Sequence, residues 1–273
     1  MDRWRGRVAL VTGASVGIGA VVAEELVRCG MTVVGCARDV QHIQKLAAEC
    51  QIAGHSGVLV PFKCDLNNEE EILSMFAAIK AQHKGVDVCI NNAGLAHPES
   101  LLNGQTSGWK NMLDFQGPGV VHAVSLSHCL TVSLSHRLTC VDGHIININS
   151  GSGHRVVPSA DVHFYSSTKY AVTALTEALR QELRVANTHI RATSISPGVV
   201  ETEFIRRLYR HDADKAAASY YMNVCILAYY FTLSLLLQPL EAIDVANSVT
   251  YVLGAPPHVQ IGDILMRPVE QVS

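Results

Sequence analysis

The sequence carries little excess charge of either sign. Its 273 residues have a formal net charge of −3, and only 16% of them are charged, whereas 48% are hydrophobic. This balance offers no basic surface to nucleic acid and no attraction to an anionic membrane surface. The chain also has no internal repeat, linker or low-complexity tail. We therefore predict one globular domain over residues 1–273 that does not bind nucleic acid.

The cysteines lack the Cys-x-x-Cys spacing. There are eight of them, and Cys36, Cys64 and Cys89 fall within apparent strands, where a thiol behaves as a small buried hydrophobe. This pattern favours reduced thiols over a disulfide framework. Residues 1–5 are polar and run directly into a strand, so no signal peptide is evident. Both features predict a cytoplasmic protein.

The sequence also lacks a convincing membrane span. The apolar run at residues 222–237 is shorter than the ~18–20 residues that a bilayer crossing needs, and no positive charges flank it. A membrane anchor is therefore the weaker alternative. We interpret this run as an apolar insertion that packs over the substrate cleft or at a subunit interface, and the second placement would make the protein a homo-oligomer.

Strand-like and helix-like patterns alternate along the chain. Runs rich in apolar residues predict seven strands, at 8–11, 32–37, 59–64, 86–90, 144–148, 190–195 and 262–266. Amphipathic stretches predict helices between them, at 20–29, 43–50, 69–83 and 165–186. The first run is wholly apolar, as a parallel strand buried on both faces requires. The alternation predicts an α/β fold of the Rossmann type, a doubly wound parallel sheet with ligands at the carboxyl ends of its strands.

A glycine-rich turn follows the first predicted strand. Gly13 permits a tight turn, Gly17 lets the backbone approach a pyrophosphate, and Gly19 lets the next helix pack closely on the sheet. The N-terminus of that helix offers unpaired N–H groups and a positive dipole end to phosphates. The turn therefore predicts a dinucleotide site.

Tyr165 and Lys169 lie four residues apart on a predicted helix and so share one face. A neighbouring ammonium favours the phenolate, which would lower the pKa of Tyr165 and suit it to general acid–base chemistry. The alternative is a surface Tyr–Lys pair on an amphipathic helix, which the glycine turn upstream disfavours.

Several features match one known family together. They are residues 12–19 with the spacing Gly-x-x-x-Gly-x-Gly, Asp65, residues 91–94, the Ser150 region, Tyr165 with Lys169, and Pro197-Gly198. Jointly they resemble the short-chain dehydrogenase/reductase family over nearly the whole chain. The resemblance implies hydride transfer between a nicotinamide cofactor and a carbonyl substrate, such as a ketosteroid or a small lipophilic ketone.

The resemblance also implies roles for single residues. Tyr165 would donate a proton to the carbonyl, and Lys169 would lower the pKa of that phenol and bind the nicotinamide ribose. Ser150 would hold the substrate oxygen, with Ser152 as the alternative. Asp65 would bind adenine, unless it only caps a helix. The remaining cofactor contacts would be Gly13, Ser15, Gly17, Ile18, Gly19, Leu66, Asn92, Pro197, Val200 and Thr202.

Residues 38 and 39, after the second predicted strand, bear on the choice of cofactor. An acid near this point binds the ribose 2′-hydroxyl in NAD enzymes, whereas a 2′-phosphate calls for an arginine. The planar guanidinium of Arg38 suits a phosphate, while the carboxylate of Asp39 would repel it. We predict that NADP(H) is favoured over NAD(H).

Residues 117–140 depart from the family pattern. Gly117-Pro118-Gly119 would break the helix expected after the fourth strand, and Gln116 stands where the family has an Asn that helps to relay protons. The histidines and cysteines of this segment fit no zinc spacing, so we expect no metal. The favoured function is an NADP-linked reductase or alcohol dehydrogenase. The alternative is a catalytically impaired relative that binds dinucleotide or a protein partner.

Overall fold

One parallel sheet of seven strands organises the chain. A computed structural model describes residues 1–116, 142–210, 212, 214, 238–269 and 271. The strands are β1 (Val8–Thr12), β2 (Thr32–Ala37), β3 (Val58–Lys63), β4 (Val88–Asn91), β5 (Gly143–Ile148), β6 (Ile190–Pro197) and β7 (Asp263–Met266). Their order in the sheet is β3-β2-β1-β4-β5-β6-β7. The predicted doubly wound parallel sheet is confirmed, with every strand within about two residues of its predicted bounds.

Helices connect the strands. They are α1 (Gly17–Arg28), α2 (Gln41–Ile52), α3 (Glu69–His83), α4 (Thr106–Gln116), α5 (His163–Val185), α6 (Glu203–Leu208) and α7 (Ala242–Gly254). The four helices predicted from the sequence correspond to α1, α2, α3 and α5. The predicted helix break at 117–119 and the apolar run at 222–237 lie outside the described residues. In the described part of the chain, no helix has both the length and the apolar character that a bilayer crossing requires.

Both faces of the sheet are buried. Alternate residues of β1 belong to different hydrophobic clusters, with Ala9 and Val11 on one face and Val8 and Leu10 on the other. All five β1 residues are buried, as expected for a central parallel strand covered on both sides. The chain returns from β3, at one edge, to β4, which pairs with β1 on the opposite side from β2. A crevice therefore opens at the carboxyl ends of β1 and β4, where ligands of such sheets bind.

Trp4 ties the start of the chain to its last helix. Its side chain is fully buried, and its indole Nε1 donates a hydrogen bond to the Leu253 carbonyl in α7 at 2.8 Å. The guanidinium groups of Arg3 and Arg7 lie over the ring, at 4.9 and 4.4 Å from its centroid. Burial, a satisfied N–H and two cation–π contacts together fix this residue against the sheet.

Helix α3 begins with a side-chain cap. The Asn68 side chain accepts hydrogen bonds from Glu70 N at 3.0 Å and Glu71 N at 3.3 Å, two donors that the helix itself leaves unpaired. We expect Asn68→Ala to lower the free energy of unfolding by about 1 kcal/mol in urea titrations. Asn67→Ala, a change at an exposed neighbour that caps nothing, is the control. Equal losses in the two variants would contradict the capping role.

Candidate active site

A cavity of about 1280 Å³ occupies the crevice at the carboxyl ends of the strands. It gathers residues that are distant in the sequence. Of the residues predicted as site residues, those lining it are Gly13, Ser15, Gly17, Ile18, Arg38, Asp39, Leu66, Asn92, Ser150, Ser152, Tyr165, Lys169, Pro197, Val200 and Thr202. Two do not line it, Gly19 and Asp65. The cavity exceeds a typical site for one small ligand, so it has room for a dinucleotide and a substrate together.

The glycine turn shapes one wall of the cavity. Gly17 has a φ of +60°, a left-handed conformation in which a side chain would be strained. A Cβ on Gly19 would lie 2.3 Å from Gly13 O and 2.4 Å from Asn92 Nδ2, so only glycine allows α1 to pack this closely. Helix α1 begins after Val16, which gives it no side-chain cap. Its first N–H groups are therefore available to phosphate oxygens, and this wall fits the pyrophosphate of a dinucleotide.

Asn92 braces that turn. Its Nδ2 donates to Thr12 O at 2.9 Å and to Gly13 O at 3.3 Å, and its backbone N–H donates to Thr12 Oγ1 at 3.0 Å. Both amide hydrogens of the side chain are thus used within the protein. Asn92 therefore holds the end of β4 against the glycine turn.

Arg38 and Asp39 lie at the end of the cavity beside β2. The Asp39 carboxylate accepts a hydrogen bond from Gln41 N at 2.9 Å and so stabilises the first turn of α2. Arg38 is exposed, and within the described ranges no acidic side chain forms an ion pair with it. The guanidinium of Arg38 thus lines the cavity without an acidic partner among the described residues. The neighbouring carboxylate of Asp39 is hydrogen-bonded to the first residue of α2.

Asp65 follows β3 without lining the cavity. Its carboxylate accepts from Asn67 N at 3.0 Å, and its own backbone N–H donates to Glu71 at 2.8 Å. The cap of α3 is Asn68, so the helix-capping alternative for Asp65 is wrong. Its carboxylate instead stabilises a turn that presents Cys64 and Leu66 to the cavity.

Ser150 and Tyr165 meet at the opposite end of the cavity. Ser150 follows β5, and its side chain is hydrogen-bonded to the phenol of Tyr165 on α5. The Ser150 hydroxyl also accepts from Ser152 N at 3.1 Å. Ser152 therefore contributes a backbone N–H that orients Ser150, and this arrangement favours Ser150 over Ser152 as the partner of the phenol. The ring of Phe204 packs against Tyr165, with 5.6 Å between the centroids.

Lys169 lies beneath Tyr165 and is buried. Its Nζ donates to Ile148 O at 3.1 Å and lies 5.7 Å from the centroid of the Tyr165 ring. Burial lowers the pKa of Lys169 to about 8. Burial also raises the pKa of Tyr165, which the hydrogen bond with Ser150 only partly offsets. The expected lowering of this pKa by Lys169 does not appear: burial is the largest cause and raises the pKa, so Tyr165 is a protonated donor at neutral pH.

The lowered pKa of Lys169 has a measurable consequence for stability. Between pH 8 and 10.5, the unfolded chain holds more protons at this lysine than the folded chain, so the free energy of unfolding rises with pH. The penalty for burying the ammonium is full below pH 8 and disappears by pH 10.5. Tyr165 acts in the opposite sense, but only above pH 10, its ordinary pKa.

We expect Lys169→Met to abolish this rise. In urea titrations between pH 8 and pH 10, the free energy of unfolding of wild type should rise relative to that of the variant by up to about 1.4 kcal/mol per pH unit. Lys45→Met, at an exposed site on α2, should keep the wild-type slope. Parallel stability profiles for wild type and Lys169→Met would contradict the lowered pKa.

Further residues complete the wall of the cavity near Tyr165. Phe204, Val156, Leu208, Tyr209 and Gln271 also line the cavity. Phe204 lies just beyond the predicted contacts at Pro197–Thr202. No sequence motif indicates Phe204 or the other four residues. Gln116 ends α4, and its side chain lies outside the described part of the chain, as do residues 117–140 with their histidines and cysteines. Among the described residues, no cluster could hold a metal ion.

Known proteins are similar to this chain in sequence and in architecture. A family model described as short chain dehydrogenase matches residues 7–213. A Gallus gallus protein named dehydrogenase/reductase SDR family member 11 is 62% identical over 273 residues, which cover 100% of each chain. An Aedes aegypti farnesol dehydrogenase is 38% identical, with 98% of each chain covered. The solved closed form of serine dehydrogenase complexed with NADP⁺ superposes with a TM-score of 0.81 at 30% identity, covering 97% of this chain and 96% of the other.

The resemblance inferred from the sequence motifs is confirmed. The family match covers the glycine turn, the Ser150 region and the Tyr165–Lys169 pair, and the geometry of the cavity fits a nicotinamide dinucleotide with a small-molecule substrate beside it. The chain belongs to the short-chain dehydrogenase family of oxidoreductases.

Proposed function

We propose that this protein is an NADP(H)-dependent oxidoreductase that interconverts a lipophilic ketone and its secondary alcohol, with Tyr165 as the general acid and base. The observation that carries the proposal is the buried phenol of Tyr165, hydrogen-bonded to Ser150 and lying above Lys169 at one end of a large cavity. The glycine turn and Arg38 lie elsewhere along the same cavity.

The cofactor would be held along the whole cavity. The N-terminus of α1, after Gly17, would bind the pyrophosphate, and Leu66 would contact the adenine. Lys169, and the loop of residues 197–202, would hold the nicotinamide half next to Tyr165. When bound, the cofactor supplies or accepts the hydride, while the chain supplies the proton and the orientation of the substrate.

Three side chains would assist proton transfer to the carbonyl oxygen. Ser150, oriented by Ser152 N, would hold the oxygen by a hydrogen bond. Tyr165, kept protonated by burial, would give up its proton as charge develops on that oxygen. Lys169, fixed by its bond to Ile148 O, would stabilise the resulting phenolate through its positive charge. In the oxidative direction the same groups would act in reverse.

The preference for NADP(H) rests on Arg38. Its guanidinium lines the cavity and has no acidic partner among the described residues, and a planar guanidinium matches a phosphate group. Asp39 lies beside it and also lines the cavity, and its carboxylate accepts a hydrogen bond from Gln41 N. The serine dehydrogenase structure similar to this chain was solved with NADP⁺.

A lipophilic substrate is favoured by the wall around Tyr165. Phe204 packs against the phenol, and Val162, Ile205, Leu208 and Tyr209 form an apolar cluster beside it. Such a wall offers burial to an apolar body and leaves Tyr165 and Ser150 as the polar groups for its carbonyl. The Aedes aegypti relative is named for farnesol, an apolar alcohol. A ketosteroid or a small lipophilic ketone fits this description.

The proposal is tested by mixing the protein with NADPH and a panel of ketones. The panel would contain ketosteroids, small lipophilic ketones and polar keto acids, and the absorbance of reduced nicotinamide would be followed. We expect its loss with the lipophilic ketones and a slower loss with NADH. Binding of NADPH without its oxidation by any ketone would contradict the reductase and support the impaired relative that binds dinucleotide only.

A further inference from the structure

Gln271 is a buried polar side chain that belongs to none of the sequence motifs. It is 6% exposed and lines the cavity. Its backbone N–H donates to Pro268 O at 3.0 Å, in a turn after β7. Its side-chain Oε1 accepts a hydrogen bond from Val199 N at 3.1 Å. This contact ties the C-terminal segment to the loop that follows β6, across 72 residues of sequence.

The loop of residues 197–202 is held from two other directions. Gly198 N donates to Met266 O at 2.7 Å, which joins the loop to the end of β7. Leu240 N donates to Val199 O at 3.0 Å, and Glu201 N donates to Leu240 O at 2.8 Å. Val199 is itself buried, so without Gln271 its N–H would be left unpaired, at a cost in free energy.

The packing around Gln271 is tight. A Cβ on Gly198 would lie 2.1 Å from Gln271 Oε1 and 3.0 Å from Arg267 Cβ. Glycine at 198 therefore leaves the space that the Gln271 carboxamide occupies. The same loop packs against Gly151, the residue after Ser150: a Cβ on Gly151 would lie 3.6 Å from Pro197 O. A shift of this loop would therefore change the surroundings of Ser150.

We propose that Gln271 is a positioning residue for the nicotinamide half of the cofactor. Its Oε1 fixes the 197–202 loop through Val199, and its carboxamide lies in the wall of the cavity. Within the described ranges, no residue accepts a hydrogen bond from this Nε2, so its donors are available to a ligand. The inference rests on the proposed function, since it assigns this loop to the nicotinamide end of a bound dinucleotide.

The test compares two ligands by isothermal titration calorimetry. NADPH contains the nicotinamide, and 2′-phospho-ADP-ribose lacks it. Gln271→Met keeps the volume of the side chain but removes its hydrogen-bonding atoms. We expect the Kd of this variant for NADPH to rise about fivefold to tenfold, while its Kd for 2′-phospho-ADP-ribose stays within about twofold of wild type.

Gln260→Met is the matched control. The Gln260 side chain also bonds to the backbone of β6, with Ala192 N as donor at 3.3 Å and Ala192 O as acceptor at 2.7 Å, but it does not line the cavity. We expect it to bind both ligands as wild type does, even where its melting temperature falls. Unchanged NADPH affinity in Gln271→Met, or equal loss of both ligands, would overturn the positioning role. Failure of wild type to bind either ligand would instead overturn the proposed function, and with it this inference.

A second pair of variants tests the geometry independently of the methionine substitution. Gly198→Ala should push the Gln271 carboxamide away from Val199 and weaken NADPH binding. In a Gln271→Ala background the blocking oxygen is gone and only the 3.0 Å contact with Arg267 Cβ remains, so the same change should weaken NADPH binding less. A double-mutant cycle on the NADPH Kd should therefore be strongly non-additive. Additive losses would overturn the coupling between Gln271 and this loop.

Discussion

Tyr165→Phe should lower kcat for ketone reduction by about 10²–10⁴-fold while leaving NADPH affinity within about twofold of wild type. The substitution removes only the phenolic hydroxyl. The ring that packs against Phe204 and lies over Lys169 remains, so the cavity keeps its shape. Because burial keeps this phenol protonated, the loss falls on proton donation, a step that contributes to kcat and not to cofactor binding. Steady-state kinetics and calorimetry measure the two effects separately.

Tyr170→Phe provides the control for that experiment. Tyr170 lies on the same helix but is 43% exposed and does not line the cavity. Its kcat should equal that of wild type. If Tyr165→Phe retained more than half of the wild-type activity, another group would have to supply the proton and the assignment of Tyr165 would fail.

Arg38→Ala should raise the Kd for NADPH about tenfold to a hundredfold and change the Kd for NADH little. Hydrogen bonds to a charged group contribute about 1.5–3 kcal/mol, which corresponds to that range of affinity. NADH lacks the 2′-phosphate, so it makes no such bond with Arg38 that the substitution could remove. Because Arg38 is exposed, salt should screen the interaction, so the ratio of the two affinities should shrink as ionic strength increases.

Arg28→Ala controls for the loss of one positive charge. Arg28 ends α1, pairs with Glu25 and does not line the cavity. It should leave the preference between the two cofactors intact. Equal losses of NADPH and NADH affinity in Arg38→Ala would mean that Arg38 contacts a part of the cofactor that both share, such as the adenine.

The features predictable from the sequence are those set by neighbours along the chain. Strand β1 was predicted because a strand buried on both faces needs a continuous apolar run. The glycine turn was recognisable because the spacing of Gly13, Gly17 and Gly19 is fixed by one tight turn and one helix start. The shared face of Tyr165 and Lys169 follows from helical geometry alone.

The features that were missed depend on contacts between distant segments. The pKa of Tyr165 follows from its burial by the whole fold rather than from the lysine four residues away. Gln271 reaches the cavity from beyond β7, and no local pattern indicates which backbone N–H a glutamine will find.

The hydrogen bond between Trp4 and Leu253 can form only late in the synthesis of the chain. A ribosome releases residue 4 long before residue 253, so the indole has no acceptor at Leu253 and no complete pocket during most of synthesis. Central strand β1 likewise waits for β4 before it is paired on both sides. Docking of the N-terminal segment is therefore a late event in biosynthesis. A nascent chain stalled before α7 would leave this tryptophan without the partner that holds it.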